Sequence, residues 1–349
     1  FRSRARAAGA VVWGKTNVPV MAADWQSYND LYGTSNNPWN PGRTTGGSSG
    51  GAAASLAAGI TPLEIGSDIG GSLRVPANFC GVWSHKPTWG AVSQRGHVPP
   101  RPGARAARDL NVVGPMARSA RDLRLLYSVI ADSPAPPEPP PAPGSLRIGL
   151  WLDDPAFRLD PTSRSVIEAY ARELASAGVK VEPVASPVDT RRLMSAYRLL
   201  LGSVIVTDMA PEHQQHMMSL REQAKAALAA GANDPALGLV LDYTATHAEW
   251  LAADEVRAQL RDQAVEAMSG FDAILAPVTP VAAFPHDHGP FQGRELVLSD
   301  GSSLPYTSIL DWIAMATACH LPATCAPAGL NAEGLPVGVQ LIGRPGADA

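Results

Sequence analysis

The chain has 349 residues, 45% of them apolar and 17% charged, enough to bury a sizeable core. Its net charge of −4 gives no electrostatic case for nucleic acid or an anionic membrane, and no apolar run approaches the roughly 20 residues of a membrane span. The three cysteines, Cys80, Cys319 and Cys325, are odd in number and lie in apolar stretches, which reads as buried, reduced thiols of a cytoplasmic protein.

In chain order, Trp25, Tyr28, Tyr32 and Trp39 come first, either as an aromatic substrate wall or as ordinary packing. Residues 44–81 are the most informative stretch. Gly46, Gly47, Gly50 and Gly51 flank Ser48 and Ser49, and Ala52–Ala58 has high helix propensity, ended by Gly59. Ile60–Ile65 reads as a short strand, and Gly66 to Ser72 as a tight turn that presents consecutive backbone N–H groups beside a hydroxyl. The proline-rich stretch 133–144 (SPAPPEPPPAPG) forces an extended connector. After it, Leu146–Trp151 reads as a strand. Val166, Ile167, Tyr170 and Leu174 recur at helical spacing, Gly178 caps the helix, and Val179–Val184 is a second strand. This β-α-β rhythm predicts an α/β class. Phe271–Val278 and Pro336–Ile342 are further buried-strand candidates. Pro285-His286-Asp287-His288 offers metal-ligand types, but adjacent residues rarely converge on one ion, so it reads as a loop and no metal is expected.

An exposed hydroxyl beside N–H donors is what acyl transfer needs. Two Gly-Gly-Ser turns separated by a small-residue helix and a strand resemble the amidase signature family, whose hallmark is a GGSSGG-like stretch followed by G(T/S)D(x)GGS(x)R. The resemblance extends upstream to Gly9–Val20 and Tyr32–Pro41. It extends downstream to Lys86-Pro87-Thr88-Trp89-Gly90, to Asp109–Leu123 and to the stretches 321–330 and 334–346. The middle, roughly 180–260, has little that matches and is expected to carry substrate-pocket variation. The resemblance implies one large α/β domain over residues 1–349, with a large mixed β-sheet surrounded by helices and 133–144 as an internal crossover. In this register Arg2, Arg4 and Arg6 are the polar face of a helix.

Carried over residue by residue, the resemblance makes Ser72 the acyl-accepting nucleophile and Ser48 the bridging serine, held by a cis peptide. The backbone N–H groups of Ile69, Gly70, Gly71 and Ser72 would form the oxyanion hole. Asp68, Arg74 and Ser49 would support the site, with contact of Arg74 to an acidic substrate group as the lesser reading. The implied function is hydrolysis of a small carboxylic amide through an acyl-serine, with no cofactor. A homodimer is allowed for. The family's third catalytic residue is a lysine on a strand well upstream of the GKTN segment. The chain's four lysines, Lys15, Lys86, Lys180 and Lys225, do not match that position, so the sequence reads as a family member missing its beginning and its closing helix, and impaired in turnover as it stands. The alternatives are the glutamine-hydrolysing subunit of a tRNA-dependent amidotransferase, which the stretch 94–108 does not favour, and a catalytically dead binding protein.

Overall fold

The computed structural model describes residues 1–99, 102–133 and 139–348. At its centre is an eight-stranded mixed sheet. Its strands are β1 (Leu63–Asp68), β2 (Trp83–Lys86), β3 (Val112–Ala117), β4 (Arg147–Leu150), β5 (Lys180–Pro183), β6 (Ala273–Pro277), β7 (Ala323–Leu330) and β8 (Pro336–Ile342). They lie in the order β1-β3-β2-β7-β8-β6-β4-β5. Pairing is antiparallel from β1 through β6 and parallel between β6, β4 and β5.

The helices surround this sheet: α1 (Arg2–Ala7), α2 (Gly50–Ala57), α3 (Arg74–Cys80), α4 (Ala120–Ile130), α5 (Pro161–Ser176), α6 (Thr190–Ile205), α7 (Pro211–Ala229), α8 (Pro235–Tyr243), α9 (His247–Ala267) and α10 (Leu310–Ala318). The fold is therefore the expected α/β class, with a large mixed sheet between helices. The predicted β-α-β unit is β4-α5-β5. Asp160 caps α5 by accepting from the N–H groups of Thr162 and Ser163, with Pro161 at the first turn, where a missing N–H costs nothing. β8 is buried along nearly its whole length, as the apolar run PVGVQLI requires of a strand covered on both faces.

Two local boundaries differ from the sequence reading. The strand expected at Ile60–Ile65 begins at Leu63 and runs through Gly66 and Ser67 to Asp68. Thr61 is drawn into a turn instead: its hydroxyl meets that of Ser55 at 2.8 Å and donates to Glu64 at 2.8 Å. The tight turn consequently narrows to the residues just after Asp68. In the proline-rich connector, residues 134–138 lie outside the described residues. The elements on either side of it, β3 with α4 and β4, contribute their strands to the same sheet. No helix of the described residues is long and apolar enough to cross a membrane.

Candidate active site

Ser48 and Ser72 are both buried and both line one cavity of about 420 Å³. Ser72 lies between the end of β1 and the start of α3. Ser48 lies just before α2. The peptide between Gly47 and Ser48 is cis, the conformation the resemblance implies. The two turns are tied to each other directly, since the N–H of Ser49 donates to the carbonyl of Ser72 at 3.2 Å. The Ser27 hydroxyl braces the first turn, lying 3.1 Å from the Gly46 carbonyl and 3.2 Å from that of Ser48, and accepting from the Gly50 N–H at 3.1 Å. Glycine is required at 47 by close approach: a Cβ there would sit 2.4 Å from the Asp24 carbonyl oxygen.

The second turn is held by a fully buried ion pair. Both carboxylate oxygens of Asp68 meet the Arg74 guanidinium at 3.0 Å. Asp68 also accepts from the N–H of Gly71 at 2.9 Å and of Leu73 at 3.2 Å, so it clasps the backbone on either side of Ser72. Burial works to raise the Asp68 carboxyl, but the charge and hydrogen bonds of Arg74 hold it below the ordinary carboxylate value. Arg74 is fixed in turn by the Ile313 carbonyl (3.1 Å), the Gln340 side chain (3.0 Å) and the Thr317 hydroxyl (2.6 Å). Arg74 has no exposure, and all of these contacts are internal.

Two carbonyls of the turn have their own anchors. Tyr197 donates to the Ile69 carbonyl at 2.9 Å, and the Trp25 indole to the Gly70 carbonyl at 2.7 Å. Because a trans peptide is planar, fixing the Ile69 carbonyl also fixes the N–H of Gly70 on the opposite side. Fixing the Gly70 carbonyl sends the Gly71 N–H to Asp68. Of the four N–H groups expected in the oxyanion hole, that of Gly71 is thus engaged by Asp68, whereas Asp68 does not accept from Ile69, Gly70 or Ser72.

Sequence reasoning misses Ser27, Tyr197, Thr317 and Gln340 as supports of the two turns. Of these, Gln340 alone leaves a signal, as the one polar residue in an otherwise apolar strand. The aromatic wall is not part of the cavity. Trp25 anchors the Ser72 turn and packs on Phe291 and Tyr306, Tyr28 stacks on His288 at 3.8 Å, Tyr32 is exposed, and Trp39 donates to the Cys80 carbonyl. His286 meets the Pro41 carbonyl at 3.3 Å, so both histidines of the 285–288 loop are engaged in packing contacts. All three cysteines are free thiols and buried. Burial pushes Cys319 and Cys325 up to about 12 and Cys80 further still, which leaves no thiolate nucleophile at neutral pH. The other wall of the cavity comes from the unmatched middle of the chain: Val204, Ile205, Asp208, Met209, Ala210 and His213.

No lysine lines the cavity among the described residues. Lys86 is completely buried, and its amine donates to the carbonyls of Leu321 at 2.8 Å and Pro87 at 3.1 Å. Burial, reinforced by the nearby charge of Arg74, lowers it to about 7.

Ser48 and Ser72 thus form a buried pair joined through the backbone, beside a clamped turn at the end of a strand. The sequence profile of the amidase family matches residues 2–349, and the chain belongs to the amidase signature family. It is similar to the A subunit of the glutamyl-tRNA(Gln) amidotransferase of a Picosynechococcus species, 30% identical over 97% of this chain and 72% of that one. Its counterpart from an Anaeromyxobacter species is 32% identical over 98% and 72%. Among solved structures, an amidase superposes with a TM-score of 0.78 at 29% identity, covering 99% of this chain and 73% of that chain. The A subunit of the Thermotoga maritima glutamyl-tRNA(Gln) amidotransferase gives 0.76 at 26%, with the same coverage.

Proposed function

We propose that this chain carries the acyl-transfer centre of an amide hydrolase. In this reading the Ser72 oxygen attacks the amide carbonyl carbon, the carbonyl oxygen becomes an oxyanion, and the N–H groups of Ile69, Gly70 and Ser72 receive it. Ser48 passes the Ser72 proton on to the departing nitrogen, the C–N bond breaks, and water then cleaves the acyl-serine to the acid. The observation that carries the reading is the opening of Ser48 and Ser72 into a single cavity, with the Ser72 turn clamped from both sides by Asp68.

A serine hydroxyl is a weak nucleophile until a base takes its proton. With no lysine lining the cavity among the described residues, turnover of simple amides by this chain should fall about 10²–10⁴-fold below that of a complete Ser-Ser-Lys centre. The test is treatment of the folded chain with a fluorophosphonate, with the adduct located by mass spectrometry. Slow labelling confined to Ser72 and lost in Ser72→Ala is the expected result. An adduct elsewhere, or turnover that survives Ser72→Ala, would sink the assignment.

A second, narrower reading is favoured by the names of the relatives: the glutamine-hydrolysing subunit of a tRNA-dependent amidotransferase, working with partner subunits. Ammonia release from glutamine only when those subunits are added would support it.

A further inference from the structure

The cavity over the two serines is mostly hydrocarbon, with Met21, Ile69, Val204, Ile205 and Met209 facing it. Among the described residues it contains one guanidinium, Arg108, one carboxylate, Asp208, and no ammonium group, and the two charges pair with each other. Their side chains are only 13% and 19% exposed. The second guanidinium nitrogen donates to the Val204 carbonyl at 2.7 Å and the Thr207 hydroxyl at 2.8 Å. The backbone of Arg108 is held as well: its N–H donates to Gln94 at 3.1 Å and its carbonyl accepts from the Trp89 indole at 2.9 Å. Of the remaining polar groups, His213 is exposed, and His97 and Asn111 are held by hydrogen bonds. His97 places Nδ1 at 2.7 Å from the Pro99 carbonyl, and burial lowers its pKa. The Asn111 amide donates to Gln94 at 3.0 Å.

A ligand carboxylate that passes beyond the exposed His213 has two choices. It can displace Asp208 from Arg108, leaving a partly buried acid unpaired, or it can sit unpaired itself against hydrocarbon. Both are unfavourable, because a desolvated charge without a partner is costly. A neutral amide with an apolar substituent meets neither penalty, and a volume of about 420 Å³ falls in the ordinary range for small-molecule sites.

We propose that the cavity selects neutral carboxamides bearing an aryl or branched-alkyl acyl group, and that the Arg108–Asp208 pair discriminates against amides with a free carboxylate, glutamine included. This rests on the cavity being the acyl site of Ser72, so the test measures binding, which requires no turnover. Phenylacetamide, isovaleramide, succinamate and L-glutamine are titrated against the full chain by ligand-observed NMR. Phenylacetamide should bind at least about tenfold tighter than succinamate or glutamine, and Met209→Asp should weaken it by about as much. Asp208→Asn leaves the guanidinium with surplus charge and should narrow the phenylacetamide-to-succinamate ratio by about tenfold.

The proposal is overturned if phenylacetamide does not bind or is indifferent to Met209→Asp. It is equally overturned if succinamate or glutamine binds the unaltered chain as tightly, or if Asp208→Asn leaves the ratio unchanged. Should that variant not fold, the ranking on the unaltered chain decides alone. A chain that ranks the ligands as expected yet never labels at Ser72 keeps the selectivity and loses the catalytic assignment.

Discussion

Gly71 has a backbone φ of +89°, and a Cβ there would lie 2.8 Å from Val75 Cγ2. An L side chain is strained in that region by about 1–2 kcal/mol before any clash is counted. Gly71→Ala should therefore lower stability by roughly 1–3 kcal/mol in urea unfolding. It should also slow fluorophosphonate labelling of Ser72 more than stability alone explains, because the N–H held by Asp68 is the one displaced. Labelling at the unaltered rate in the folded variant would count against the clamp. At this scale the sequence is legible where backbone conformation itself demands a residue type, and the glycines around Ser48 and Ser72 stand out for that reason. Nothing comparable marks Trp25 or Tyr197 as anchors of the turn. They reach it from 45 and 128 residues away, and only the folded topology brings them there.

Lys86 ends β2 inside the molecule, and its lowered value has a consequence for pH dependence. Unfolded, the amine keeps its proton up to its ordinary value of 10.5; folded, it releases it near 7. Between those values the unfolded state binds more protons, so stability rises with pH across that window and is flat below it on this group's account. Denaturation midpoints should climb from pH 7 to about pH 8, short of the ordinary thiol value of 9.0 above which ionisation of the three cysteines in the unfolded chain works the other way, and Lys86→Met should flatten the climb. An identical slope in the variant would mean another group is responsible. The strands and helices that sequence periodicity locates, α5 between β4 and β5 and the apolar runs of β6 and β8, are those whose burial follows from their own side chains. β1 is displaced by several residues from its expected place because its second half, Gly66-Ser67-Asp68, carries no apolar pattern. It is a strand because it pairs with β3.

Across the whole molecule, the Ser72 turn depends on distant layers. Arg74 is anchored by Gln340 on β8, 266 residues further along, and Gln340 in turn donates to the Pro277 carbonyl at 2.8 Å and the Trp312 carbonyl at 2.7 Å. One amide side chain thus joins β8, β6, α10 and the Ser72 turn. Loss of labelling in urea should coincide with loss of tryptophan fluorescence, and Gln340→Ala should shift both midpoints together. A site that disappears well before the core unfolds would show that the turn stands on its own. The same linkage orders events in time. On a ribosome, Ser48 and Ser72 emerge well before Gln340, which follows only after most of the sheet has been made. A growing chain therefore carries both serines long before it can brace the Ser72 turn, and that turn stays unassembled until synthesis has reached β8.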